Sequence, residues 1–389
     1  MEKEKLFTHL FPLCSIVFLG CLQVGISLGV LPSYVHQHLH FDNLLVGIVI
    51  GIESVATLAT RHFSGSLADA RGSRITVIRG IGLSAFSGVF YLLSYLFSGQ
   101  AVRSLVALIA GRILLGCGES LLITGALSWG IGLLGHQRSG KTMAWVGIAI
   151  YGAIACGAPL GLFLRDHSGY WGCFGAVTLL PLLGLLFLIP LQTVPASGAT
   201  RLPFYKVIGL VGRPGAGLAL ATVGFGGIAS FISLYFTEKG WPGTSLALTI
   251  FGAAYILTRL FFAHLPDKLG GARVAFISLL VEALGQLLLW KSGSSFIALM
   301  GAALTGFGFS LVFPSFGVEA VKRLPPQQKG IALGAYVAFF DLALGVTAPA
   351  AGFIAGHFGY AQIYCFGALA TGISALLALS LKDVRQTVS

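Results

Sequence analysis

Five ionisable side chains, Glu53, Arg112, Glu119, Glu282 and Asp341, stand inside long apolar runs of this 389-residue sequence. A charge at the centre of a bilayer costs about 2.5 to 3.5 kcal/mol on insertion scales, so each is a functional hypothesis by default. Arg112 and Glu119 are seven residues apart, which on a helix puts them on one face about two turns, roughly 10 Å, from each other. At that separation they do not touch, but they line one polar track. On such a track Glu119 would serve as a protonatable or cation-binding carboxylate, with Arg112 as the charge partner that favours its ionised form. A structural charge network between helices is the alternative. For Glu53 and Asp341, function and structural pairing weigh equally, whereas Glu282, on a peripheral run, suits snorkelling or an interhelical contact.

Two other constellations invite chemistry. His36, His38 and His40 alternate, which on an extended segment would put all three on one side, an arrangement able to bind a metal. No nearby cysteine completes a tetrahedral set, so solvated loop histidines and no metal site are the expectation. The six cysteines stand singly in apolar runs without CxxC spacing and read as buried thiols. No P-loop, dinucleotide fingerprint or serine elbow occurs in its required context, so neither an ATP-driven pump, a bound cofactor nor an enzyme is expected.

The elements that must position these residues are membrane helices. The sequence is 56% apolar and 10% charged, far from the roughly 25% charged residues of soluble domains. Apolar runs of the length needed to cross a bilayer recur near 11–34, 44–63, 75–98, 103–131, 140–164, 169–190, 213–237, 245–264, 274–291, 295–321, 329–354 and 360–381. The predicted class is therefore an all-α membrane protein of twelve transmembrane helices. The first run is longer than a signal-peptide core and lacks a cleavage site, so it is read as a retained span. The net charge of +11 is a topology signal rather than a nucleic-acid footprint. With the N-terminus inside, nineteen Lys and Arg fall on the cytoplasmic side, Arg259 among them, against four outside, which puts both termini in the cytoplasm. The organisation predicted is a six-helix bundle over 1–190, a cytoplasmic linker over 191–212 and a second six-helix bundle over 213–389.

The halves repeat in their letters. A shift of 198 aligns Thr60-Arg61-x-Phe63-x-x-x-Leu67-x-Asp69-x-x-Gly72 with Thr258-Arg259-x-Phe261-x-x-x-Leu265-x-Asp267-x-x-Gly270. A shift of 190 aligns Gly116-x-Gly118-x-Ser120-Leu121 with Gly306-x-Gly308-x-Ser310-Leu311, and Pro159 with Pro349. Repeats of this kind imply a substrate path between two pseudo-symmetric bundles that open alternately to each side.

The loop Gly65-Ser66-Leu67-Ala68-Asp69-Ala70-Arg71-Gly72-Ser73-Arg74 resembles motif A of the major facilitator superfamily. The fourth span, with Leu108-x-x-x-Arg112-x-x-Leu115-Gly116-x-Gly118-Glu119-Ser120, resembles motif B. It departs from that motif at Leu115 and Glu119. Tyr151-Gly152-x-x-x-x-Gly157-Ala158-Pro159-Leu160-Gly161 is a loose match to the Gly-Pro signature of antiporters. Together with the run Gly306–Pro314 and Asp341-Leu342-Ala343-Leu344-Gly345-Val346-Thr347, the pattern is similar nearly end to end to the YhhS/YfcJ efflux branch of that superfamily.

The resemblance implies a cytoplasmic latch at Asp69, Arg71, Gly72 and Arg74, with a less regular copy at Asp267 and Arg273. It also implies that spans 1, 4, 7 and 10 line a central cavity. On them, Gln23, Ser230, Tyr235 and Ser310 are candidates to hydrogen-bond substrate or to join helices, beside Glu119. The aromatics Trp129, Phe225, Phe307, Phe309 and Phe313 are candidates to pack a greasy substrate, or simply to pack. The function expected is secondary active transport by alternating access in the cell inner membrane. The carrier would be a monomer exporting a small organic molecule such as a drug, sugar or metallophore in exchange for protons. A proton-coupled uptake symporter is the runner-up, with a membrane-embedded enzyme or a non-transporting receptor as remote alternatives.

Overall fold

The structure, a computed structural model, describes residues 2–135, 138–194, 205–322 and 326–381. Among them every regular element is helical: α1 (Glu2–Ser33), α2 (Asn43–Arg71), α3 (Ser73–Leu96), α4 (Ala101–Leu134), α5 (Ser139–Leu183), α6 (Tyr205–Glu238), α7 (Thr244–Phe262), a short α8 (Leu265–Leu269), α9 (Gly271–Trp290), α10 (Ser295–Val321), α11 (Pro326–Phe358) and α12 (Tyr360–Ser380). Eleven segments are long and apolar enough to cross a membrane. One of them, Gly140–Leu188, has 49 residues, more than twice the ~20 a crossing needs. It breaks at Gly169 (φ 63, ψ −165), so it holds the expected fifth and sixth spans. Helices satisfy all their backbone groups internally, which is why a chain without water around its middle builds nothing else there.

Several helices outrun the apolar windows that predicted them. α2 continues to Arg71 and α11 begins at Pro326. Hydropathy sees the hydrocarbon-matched stretch, while the polar turns beyond it still propagate backbone hydrogen bonds. Within the expected linker, 195–204 lies outside the described residues, and α6 already starts at Tyr205.

Packing divides the chain into two compact units, Met1–Phe41 with Ile52–Thr200, and Asp42–Gly51 with Arg201–Ser389. In the first, α1 and α5 approach backbone to backbone: a β-carbon on Gly25 would stand 2.7 Å from the Ala153 carbonyl oxygen, and one on Gly29 2.8 Å from that of Ala158. Lipid gives helices no hydrophobic reason to associate, so close packing at small residues supplies the attraction. Side chains such as Phe63, Leu96, Leu179, Phe261, Phe296 and Leu376 remain exposed on the outside.

The letter repeat is also a repeat of contacts. Gly72 (φ 89) and Gly270 (φ 88) immediately precede α3 and α9 in a left-sided conformation that only glycine adopts cheaply. Gly116 packs on the carbonyl of Glu53, and Gly306 on that of Phe251. Gly111 clears the ring of Tyr91, and Gly301 the side chain of Leu289. Tyr34 hydrogen-bonds Ser94 at 3.2 Å, and Tyr235 bonds Ser292 at 2.9 Å.

Candidate functional site

In the first unit α2 and α4 meet at Gly116, where Thr57 Oγ1 donates to the Gly116 carbonyl at 3.0 Å. One turn before Gly116, this contact brings Glu53 level with Arg112. The two form an ion pair, with Arg112 1% and Glu53 4% exposed. Arg112 Nη1 also donates to the Tyr91 hydroxyl at 3.4 Å. Glu119, half-buried, stands near Glu53.

The primary partner of Arg112 is thus Glu53 and not Glu119. Seven residues of one helix separate Arg112 from Glu119, whereas the neighbouring helix delivers a carboxylate directly. Two carboxyl groups stand near one guanidinium that pairs with Glu53, so with both ionised the cluster carries one uncompensated negative charge in a low-dielectric site. A proton or a cationic group of a ligand can balance it. Asp341 is buried on α11 in the second unit.

The second unit puts aromatic rings at the repeat-equivalent positions. Phe251 corresponds to Glu53 and Phe309 to Glu119 by the two shifts, and Phe225 stacks on both, at 5.1 and 5.5 Å between centroids. The remaining predicted substrate residues disperse. Ser310 Oγ donates to the Tyr255 carbonyl at 2.8 Å, so its hydroxyl joins helices. Tyr235 turns to Leu289 and Ser292, and Ser230 is buried. Phe313 packs on Tyr336, while Phe307 is 40% exposed and lies edge-on to Phe262, away from the stack. In the first unit Trp129 is buried and donates to the Gln192 carbonyl at 2.8 Å, which fixes it as a packing residue. Gln23 is buried, donating to the Gly20 carbonyl at 3.1 Å.

Of the two roles predicted for it, Glu282 takes the interhelical one. It is 0% exposed, with Oε1 toward Gly224 of α6 and its backbone against Gly308 of α10, so it does not snorkel. Sequence reasoning missed Arg259, counted with the cytoplasmic charges. It is 6% exposed, and its Nη2 donates to the Tyr255 hydroxyl at 2.6 Å and the Ser310 carbonyl at 2.7 Å. The repeated Thr-Arg pair was the available signal.

Around the predicted latch, Asp69 and Arg74 are half-buried and Arg71 is exposed, as are Asp267 and Arg273. Glu319, not singled out from the sequence, accepts from the backbone N–H of Ala272 at 3.2 Å and pairs with Lys322 at 3.8 Å. The histidine segment is not extended. Tyr34–His38 forms a π-helical turn, with His36 bonded to the Phe41 carbonyl and His38 stacked on Tyr34, so the three imidazoles take separate environments. Among the cysteines, Cys21 and Cys173 are buried as expected, but Cys156 is exposed.

Comparison with known proteins assigns this arrangement to a family. The pattern of the Major Facilitator Superfamily matches residues 13–248 and 214–388. An uncharacterised MFS-type transporter of Pseudomonas aeruginosa strain UCBPP-PA14 is 45% identical over 379 residues, 97% of this chain and 94% of its own. One from Salmonella typhimurium strain LT2 is 45% identical over 361 residues, 92% of each chain. The human organic anion transporter MFSD10 superposes with a TM-score of 0.75 at 16% identity, covering 96% of this chain and 99% of its own. A D-xylose-proton symporter does so at 0.76 and 18%, covering 94% and 97%. These two likenesses speak for the fold alone. With a family pattern over nearly the whole length and relatives aligned almost end to end, the chain belongs to the Major Facilitator Superfamily and is a multi-pass membrane transporter, not an enzyme.

Proposed function

We propose that this protein is a proton-coupled exporter that exchanges protons for a small organic molecule by alternating access. It would act as a monomer in the cell inner membrane with both termini cytoplasmic, as the excess of positive charge on one side of the spans suggests. The observation that carries the proposal is the Glu53–Arg112–Glu119 cluster, in which one fixed cation paired with Glu53 stands near two acids. Glu53 is held by Arg112, which leaves Glu119, the more exposed acid, as the group whose charge an incoming proton or a ligand cation must cancel. Occupation by one excludes the other, and that exclusion is the physical content of exchange. Resemblance to the YhhS/YfcJ efflux branch supports the outward direction and a drug, sugar or metallophore as cargo. The Phe225–Phe251–Phe309 stack suits a cargo with an apolar face.

The test uses purified protein in liposomes under imposed proton gradients of each sign. Substrate flux driven by an opposing proton gradient is expected, and Glu119→Gln is expected to abolish the drive while substrate still binds. Undiminished pH-driven flux in Glu119→Gln would remove that residue from the mechanism. Flux in the same direction as the protons would instead establish uptake symport, the reading kept second.

A further inference from the structure

The second unit contains an acid that its own residues do not neutralise. Both carboxylate oxygens of Glu282 are fully buried on α9 and have no hydrogen-bond partner. No Lys, Arg or His forms an ion pair with it among the described residues, and the titratable side chains on the helices around it are sparse. α6 carries Tyr205, Lys206 and Arg213 in its first third and Tyr235 and Glu238 in its last turn, α10 carries Glu319 near its end, and α12 contributes Tyr360, Tyr364 and Cys365.

Glu282 is nevertheless a built position. Gly308 of α10 packs against its backbone, where a β-carbon would meet the Glu282 nitrogen at 2.6 Å. A β-carbon on Gly224 of α6 would stand 2.9 Å from Glu282 Oε1 and 3.1 Å from Gln286 Nε2, so the missing side chain is the space both polar heads occupy. Gln286, one turn further along α9 and also fully buried, donates to the Gly224 carbonyl at 3.3 Å and to Thr305 Oγ1 at 3.2 Å. Its own Oε1 lies over Gly367 of α12 and receives no donor. α12 runs antiparallel to α9, so Thr371, one turn past Gly367, comes level with Glu282, and its buried hydroxyl also lacks a partner. Glu282 Oε1 and Oε2 and Gln286 Oε1 are thus partnerless oxygens one turn apart on α9, and Thr371 Oγ1 on α12, one turn from the glycine that faces Gln286, is a fourth buried oxygen without a partner.

An isolated carboxylate in such surroundings costs far more than the fold can supply, and buried charges are accordingly paired or cancelled. In the first unit the chain supplies the cancelling cation itself, as Arg112 beside Glu53. Around Glu282 it supplies oxygen atoms only. We propose that Glu282 is a proton-binding site of the second unit, a carboxylic acid whose charge is cancelled by an exchangeable proton and whose O–H donates to the acceptor oxygens that Gln286 and Thr371 present. One proton added to the carboxylate gives the neutral acid, and its loss restores the anion, with no other bond made or broken. Use of this site in coupling rests on the proton-driven reading above, whereas binding of the proton does not.

The experiment is infrared spectroscopy of the full-length protein reconstituted in lipid. At neutral pH a carboxylic C=O band of a buried, slowly deuterating acid is expected, lost in Glu282→Gln and displaced rather than lost in Glu282→Asp. Glu119→Gln is expected to leave that band in place. Glu282→Gln, an isostere of the neutral acid, is also expected to keep the melting temperature of the parent. A neutral-pH band that Glu282→Gln leaves undiminished in the Glu119→Gln background overturns the proposal, as does the absence of any such band from the parent. A melting temperature that rises with sodium but not with choline, together with a missing band, would assign the cation as sodium and equally overturn it. Either result stands whether or not transport proves to be driven by protons.

Discussion

The two units repeat each other's backbone contacts and differ in where they keep charge. Gly116 on the Glu53 carbonyl has its counterpart in Gly306 on the Phe251 carbonyl, and Gly111 against Tyr91 in Gly301 against Leu289. Yet Glu53, Arg112 and Glu119 correspond to Phe251, Ala302 and Phe309, and Glu282 corresponds to Ser84. Duplication has preserved the positions where helices need a missing side chain, since a methyl group there strikes a neighbouring backbone. It has not preserved these buried charges, which a local change can introduce wherever a void or a partner allows. The first unit pairs its buried acid with a residue, and the second leaves its acid to an exchangeable partner.

The sharpest way to break that distinction is to remove the fixed cation. Arg112→Met leaves Glu53 buried and unpaired, and such a loss is expected to destabilise by about 3 to 5 kcal/mol in equilibrium unfolding. Adding Glu53→Leu to it is expected to restore the parent stability or exceed it by about 1 to 4 kcal/mol, because the desolvation penalty disappears with the charge. Glu282→Gln breaks no ion pair and should leave stability nearly unchanged. If Arg112→Met proved as mild as Glu282→Gln, Glu53 would not depend on its arginine and the contrast between the units would fail.

A smaller effect sharpens the likeness. Gly116→Ala and Gly306→Ala each insert a methyl group against a carbonyl of the neighbouring helix, and overpacking of that kind is expected to cost about 1 to 3 kcal/mol at each site. Equal costs in thermal unfolding would show that the repeat is energetic as well as geometric. A cost at Gly116 alone would mean that the polar cluster, not the helix crossing, makes that position sensitive.

The fold was legible because its determinants are local in sequence. Apolar runs of bilayer length, the two shifts and the glycines at 72 and 270 can all be seen without coordinates. The site was legible only in its ingredients. Spacing along α4 suggested that Arg112 belongs with Glu119, but the pairing is decided by the register of α2 against α4, which no single-helix periodicity contains. For Glu282 the choice between snorkelling and an interhelical contact stayed open for a related reason. A helix on the outside of a bundle still turns one face inward, and which face holds residue 282 depends on Gly224, Gly308 and Gly367 on three other helices. Arg259 was misassigned because a long side chain near a helix end can reach inward to Ser310 as readily as outward to water.

The smallest effect concerns the tyrosines that close the equivalent ends of the two units. The Tyr34 hydroxyl bonds Ser94 at 3.2 Å and Ser104 at 3.1 Å, while that of Tyr235 bonds Ser292 at 2.9 Å and donates to the Leu289 carbonyl at 3.2 Å. Tyr34 also packs against His38, Tyr170 and Phe174, and Tyr235 against Trp241 and Tyr364, so each ring is fixed by packing whether or not its hydroxyl is present. Tyr34→Phe and Tyr235→Phe therefore remove hydrogen bonds and little else, and each is expected to lower stability by about 0.5 to 1.5 kcal/mol. The two serines left at Tyr34 can still bond each other, at 2.9 Å, whereas the Leu289 carbonyl keeps the Ser292 hydroxyl as a donor at 2.8 Å. Each site thus retains a partner for every group it loses, and matched small losses in thermal unfolding are the expected outcome. A loss several-fold larger at one site would show that this pair, unlike the glycine crossings, has diverged in what it contributes to its unit.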